Sequence, residues 1–149
     1  MDPLLIALIL GGLVVLSTVA GLVLRNREGR LQTVSQHIVV DNLELGPGVH
    51  FGPNATLLQF STEFCTKCPG TRAYLGKVAA EKIGVLHVEV DITNRQDLAQ
   101  KYNIMQTPTT FILDDNGAVA ARIGGAPRPD ALSNALTIAL TKDTDSYVI

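Results

Sequence analysis

Two cysteines, Cys65 and Cys68, are the only ones in the chain, and they stand two residues apart in Phe64-Cys65-Thr66-Lys67-Cys68-Pro69. The apolar run Thr56–Ser61 precedes them and a helical stretch, Thr71–Lys82, follows. The pair therefore falls on a strand-to-helix connection, with Cys65 near a helix N-terminus. A thiolate is favoured there, because free backbone N–H groups and the positive end of the helix dipole stabilise negative charge. Two thiols at this spacing can also close into a disulfide, so that one traps whatever the other has bonded. That chemistry is thiol–disulfide exchange.

The other common uses of C-x-x-C do not fit this chain. A structural zinc site needs four ligands, whereas here no second cysteine pair exists and His37, His50 and His87 are scattered singly. Haem attachment needs a histidine after the second cysteine, where this chain has Pro69. A static disulfide closing so short a loop gains little from chain entropy. A redox pair beside a βαβ pattern is the reading preferred, with no metal.

The elements that must hold this pair are legible from Asn54 onward. Thr56–Ser61 reads as a strand buried on both faces. Thr66–Lys82 reads as the helix carrying the cysteines, with Pro69 in its first turn, where a missing N–H costs little. Gly84–Asp91 is the next strand, Arg95–Tyr102 a short helix, and Thr109–Leu113 a third strand. Asp115-Asn116-Gly117 is a hairpin signal, after which Ala118–Ile123 returns antiparallel and Gly124-Gly125 end it. Pro129–Leu140 closes with a helix whose Leu132, Ala135, Leu136 and Ala139 form one stripe. Thr141–Ile149 reads as a loose tail, with residues 142–149 set outside the domain.

The beginning of the chain is different. Leu4–Leu24 carries no charge, and at ~1.5 Å per residue it spans roughly 31 Å, the hydrocarbon thickness of a bilayer. Its N-terminal flank, Met1-Asp2-Pro3, lacks the basic residues of a signal peptide, and no clear cleavage site follows. It reads as a single-pass anchor. Arg25, Arg27 and Arg30 follow it, and basic flanks stay in the cytoplasm, so the domain is expected on that side. Residues 1–30 thus form the anchor and its basic border. Residues 31–53 read as a linker or irregular part of the domain, in which Ile38-Val39-Val40 could form an edge strand and Asp41–Leu45 a short helix or turn. Residues 54–141 form the domain. The net charge of −2 over 149 residues, with no basic run interleaved with aromatics, argues against a nucleic-acid surface.

The order strand, helix, strand, helix, proline, hairpin, helix, with C-x-x-C opening the first helix, resembles the thioredoxin family. Phe64-Cys65-Thr66-Lys67-Cys68 resembles its aromatic-C-x-x-C site, and Val88-Glu89-Val90-Asp91 its strand ending in Val-Asp. Tyr102-Asn103-Ile104-Met105-Gln106-Thr107-Pro108-Thr109 is similar to its Tyr-x-Ile…Pro-Thr signature. The resemblance implies an α/β thioredoxin-like fold, a central mixed sheet flanked by helices, here behind an N-terminal transmembrane helix. Among relatives it looks most like the membrane-tethered thioredoxin-like proteins of bacteria, actinobacterial ones included.

Carried over residue by residue, the resemblance implies that Cys65 attacks a substrate disulfide and Cys68 resolves the mixed disulfide. It also implies that Pro108 is a cis-proline facing the pair, with Thr107 offering its backbone to a substrate chain and Phe64 flanking it. The redox-active disulfide Cys65–Cys68 would stand in place of a cofactor. The chain departs from the family pattern in several places, among them the absence of Trp, with Phe64 before Cys65 and Ser61 where a second Trp is common. Thr66-Lys67 replaces Gly-Pro between the cysteines, and Lys67 is expected to tune the pair. Gln59 stands where the family often has a buried acid, and His87 where a lysine lies beside that acid. Gln59 and His87 would then replace a charged pair, with His87 as a possible proton acceptor for Cys68.

The function expected is a membrane-tethered protein disulfide reductase. Its partners would be protein disulfides, an electron donor that the sequence does not identify, and the cell membrane. Two alternatives use the same fold: an exported disulfide donor or apoprotein reductase, and a docking module with dispensable cysteines.

Overall fold

The computed structural model describes residues 2–27, 29–32 and 38–141. The expected tail, 142–149, and part of the expected linker, including His37, lie outside the described residues.

Helix α1 (Pro3–Arg27) is exposed along its described side chains and is long and apolar enough to cross a membrane. Its two hydroxyl side chains bond back to the helix: Ser17 and Thr18 both donate to the Val14 carbonyl, at 2.9 and 2.7 Å. In hydrocarbon this satisfies hydroxyls that would otherwise have no partner.

The domain is a five-stranded mixed sheet. Strands β1 (Leu31–Gln32), β2 (Ala55–Ser61), β3 (Val85–Asp91), β4 (Thr109–Asp114) and β5 (Val119–Gly124) lie in the order β1-β5-β4-β2-β3. β2 is an interior strand, parallel to the edge strand β3 and antiparallel to the central strand β4. Every residue of β2 is buried, as expected for a strand covered on both faces. Leu57 points into the cluster formed with α3 (Cys68–Ala80) and α5 (Pro129–Thr141), where Leu75, Ile112, Leu132 and Leu136 pack. Leu58 and Phe60 point the other way, toward Phe111 and toward Leu98 and Tyr102 around α4 (Gln96–Lys101). The stripe on α5 is buried as its periodicity predicts.

The N-terminal part of the domain forms the short helix expected at Asp41–Leu45, but Ile38–Val40 makes only an isolated bridge and a separate two-residue strand pairs with β5. Ile38-Val39-Val40 forms a single bridge, Val39 to Ala118, flanked by Val119 N–H to the Ile38 carbonyl (2.8 Å). A two-residue strand, β1, pairs with the far end of β5, Leu31 opposite Ile123. The short helix α2 (Asn42–Leu45) is capped by Asp41, whose carboxylate accepts from Leu43 N–H at 2.9 Å. Glu44 on α2 pairs with Lys101 and accepts from the Tyr102 hydroxyl, and Arg95 donates to the Glu44 carbonyl at 2.9 Å. These contacts fasten α2 to α4.

Candidate active site

β2 ends at Ser61, and the chain crosses the C-terminal edge of the sheet before α3 begins. Cys65 N–H bonds the Thr62 carbonyl (3.1 Å), and Cys68 N–H bonds the Cys65 carbonyl (3.3 Å). This turn occupies the residues from Thr66 that the sequence assigns to the helix. α3 starts at Cys68, with Pro69 in its first turn. The turn brings the two Cα atoms to 5.4 Å, and the cysteines form a disulfide. Cys65 is half-buried, while Cys68 is only 2% exposed.

One cleft of about 400 Å³ gathers Phe64, Cys65, Lys67 and Thr107, together with Thr62 and Thr66. The Thr107–Pro108 peptide is cis. The Thr107 and Thr62 hydroxyls lie 3.2 Å apart, and Gly125 N–H bonds the Pro108 carbonyl at 2.8 Å. The substrate-side residues singled out in the sequence thus share one edge of the sheet. Phe64 is 82% exposed and flanks Cys65 without covering it.

Gln59 and His87 lie beneath. Gln59 is fully buried, and its Nε2 donates to the Cys68 carbonyl at 3.2 Å and to Glu89 Oε1 at 3.4 Å. A main-chain carbonyl only accepts, so the other end of the amide, Oε1, faces His87 Nε2 at 3.2 Å and receives its hydrogen. His87 Nε2 is therefore the donor that orients Gln59, which in turn holds the main chain of Cys68. Burial pushes the His87 pKa down; Glu89 opposes this and Arg72 adds to it.

That downward shift has a checkable consequence. The unfolded chain takes up a proton near the ordinary imidazole value of 6.5, while the folded protein resists it. Below that pH the unfolded state binds more protons, so stability falls as pH drops from 6.5 toward the lowered folded value. His87→Gln should flatten this part of the slope in urea unfolding from roughly pH 8 to 5. Parallel slopes for both proteins would show that His87 contributes no linkage.

Arg72 and Glu89 were not singled out in the sequence. They form an ion pair, Arg72 Nη2 to Glu89 Oε1 at 3.0 Å, with a second contact through Nε. Both line a cleft of about 230 Å³ on the other side of the disulfide, with Cys65, Cys68 and Asp91. The sequence carries one signal, Arg72 one helical turn after Cys68; that Glu89 stands directly opposite Gln59 in the parallel register comes from the structure. The arrangement can receive a disulfide at a half-exposed sulfur beside a cis-proline loop, with the second sulfur buried behind it.

The Thioredoxin family model matches residues 49–138, more than half of the chain and every element named above except α1, β1 and α2, with α5 matched in part. The chain is 36% identical over 73 residues to thioredoxin C-2 of Corynebacterium nephridii, which spans 48% of this chain and 68% of that relative. It is 29% identical over 80 residues to a thioredoxin H-type of Oryza sativa subsp. indica, 54% of this chain and 64% of that relative, so the match there covers less than two thirds of the relative. Among solved structures, thioredoxin F from spinach chloroplast (short form) superposes with a TM-score of 0.51 at 28% identity, over 59% of this chain and 78% of that one.

Proposed function

The chain belongs to the thioredoxin family of thiol–disulfide oxidoreductases, and from that premise we propose that it is a membrane-tethered reductase of protein disulfides. The observation that carries the redox half of this reading is the asymmetry of the pair. Cys65 is half-buried and lines both clefts, while Cys68, at the start of α3, lines only the smaller one and is 2% exposed.

In the reduced form, the Cys65 thiolate attacks one sulfur of a substrate disulfide. The other substrate sulfur leaves as a thiolate and takes a proton. Cys68 then loses its proton and its sulfur attacks Cys65, releasing the second substrate thiol. Two electrons and two protons pass to the substrate, and the pair ends as the disulfide seen here. An external dithiol donor returns it to the reduced form. Thr107 and Pro108 offer main-chain positions to the incoming chain, and Phe64 an apolar surface beside it. Gln59 holds the Cys68 main chain in place during both steps, and His87 holds Gln59.

The tether is α1, whose apolar length matches a bilayer, and Arg25, Arg27 and Arg30 favour a cytoplasmic domain. The test is fractionation of cells making the full chain, followed by thiol labelling of the reduced protein with a membrane-impermeant maleimide. Expected are retention in carbonate-washed membranes and labelling of Cys65 only after lysis. Recovery in the soluble fraction would sink the tether. Labelling before lysis would move the domain to the exported side.

A further inference from the structure

We propose that the cysteine pair works at the bilayer surface, on a disulfide carried close to the membrane by a membrane-embedded partner protein. This rests on the tethering read above.

Strand direction supplies the first step. β5 is antiparallel to β4, which is antiparallel to β2, so β2 and β5 run the same way. Their C-terminal ends, Ser61 and Gly124, lie at one edge of the sheet, and Cys65 and Cys68 follow Ser61 there. β1 is antiparallel to β5 and starts opposite Ile123, so the chain arriving from α1 enters at that same edge.

Hydrogen bonds make the entry specific. Gly29 N–H bonds the Gly124 carbonyl at 2.8 Å, and the next residue, Gly125, bonds the Pro108 carbonyl at 2.8 Å. Arg128 N–H reaches the Gly29 carbonyl (3.4 Å), and Arg128 Nη2 reaches the Asn26 carbonyl (3.2 Å), tying the end of α1 itself to the domain. Gly29 has φ +73°, and a Cβ there would sit 2.4 Å from the Ala126 carbonyl oxygen, so the junction demands glycine. The anchor thus docks beside the loop that lines the cleft of Cys65.

Chain length then sets the distance. Leu24 is the last residue of the uncharged span, α1 continues to Arg27, and Gly29 lies two residues on. At ~1.5 Å per helical residue and at most ~3.6 Å per extended one, Gly29 is no more than about 12 Å from the end of the span. That length is about one helix diameter, ~10–12 Å, so a segment lying on the bilayer beside Gly29 reaches the edge of the sheet that carries the cysteines. A folded protein arriving from bulk solvent meets the bilayer first, whereas a cystine beside a partner's own membrane span is already at that edge. Phe64 and Met105, each 82% exposed, are apolar side chains available to such a segment at this rim. The opposite edge, at Ile83, is farther from the cysteines by the length of α3, about 20 Å.

The chain has no tryptophan, so single reporters are simple to place. Full-length Phe64→Trp and Ile83→Trp are reconstituted in phosphatidylcholine vesicles containing a headgroup spin-labelled lipid. Several-fold stronger quenching at Phe64→Trp is expected. Equal quenching, or stronger quenching at Ile83→Trp, in protein that floats with the vesicles would overturn the orientation. Protein that does not float would overturn the tether instead, and the flotation step tells the two failures apart. In the same vesicles, with dithiothreitol as reductant, two single-span peptides are compared, one with its cystine next to the span and one with it beyond a long flexible spacer. The near cystine should be reduced several-fold faster, and equal rates would overturn the partner assignment.

Discussion

Cys68→Ser is expected to accumulate mixed disulfides with its substrates, and Cys65→Ser to accumulate none. The difference follows from access and from charge. Cys65 lines the cleft that holds Thr107, while Cys68 is 2% exposed and has the Gln59 amide on its carbonyl. Only Cys65 can be reached by a substrate sulfur. It also precedes the first turn of α3, whose unpaired N–H groups favour a thiolate. Without Cys68 the substrate stays bonded, because no second thiol is in place to expel it. Substituting serine for Cys68 changes one atom of a packed site, so the fold should survive. Membranes alkylated and run without reductant should show high-mass adducts for Cys68→Ser alone. Equal adducts from both variants, or adducts from Cys65→Ser only, would reverse the proposed roles.

Lys67→Pro is expected to lower the reduction potential of the pair. Lys67 lines the same cleft as Cys65 and immediately precedes α3. A cation beside a thiolate stabilises the reduced form and makes the disulfide a stronger oxidant. Removing it should favour the disulfide, and each tenfold change in the equilibrium constant corresponds to ~30 mV for this two-electron couple. The backbone at Lys67, φ −83° and ψ −17°, is near what proline adopts, so the ring adds little strain. Lys67→Gln isolates the charge and should move the potential in the same direction. Equilibration with glutathione measures both, and an unchanged or raised potential would count against the role of Lys67.

The parts of the molecule that could be read in the sequence are those whose signals are local. β2 is a buried apolar run between breakers, and α5 carries its stripe at helical spacing, so each announces itself. The start of α3 was placed two residues early because a turn closed by Cys68 N–H to the Cys65 carbonyl uses helix-compatible residues. The junction with the anchor was opaque for a different reason. β1 has two residues, too few to show alternation, and its partner β5 lies some ninety positions away. Gly29 is its one local trace, and a glycine before a basic residue points nowhere by itself. The Arg72–Glu89 pair needed the register of β2 on β3, which periodicity does not supply. Gln59 and His87 are paired by the family resemblance, which puts them where an acid lies beside a lysine; their 3.2 Å contact and the link to the Cys68 carbonyl need coordinates.

The central claim is that Cys65 and Cys68 perform thiol–disulfide exchange on proteins. Its most direct measurement is the dithiothreitol-driven reduction of a protein disulfide by the full chain in vesicles, compared with Cys65→Ser under the same conditions. The wild type should turn over, and Cys65→Ser should show no rate above that of dithiothreitol alone. A Cys65→Ser protein that matches the wild-type rate would contradict it.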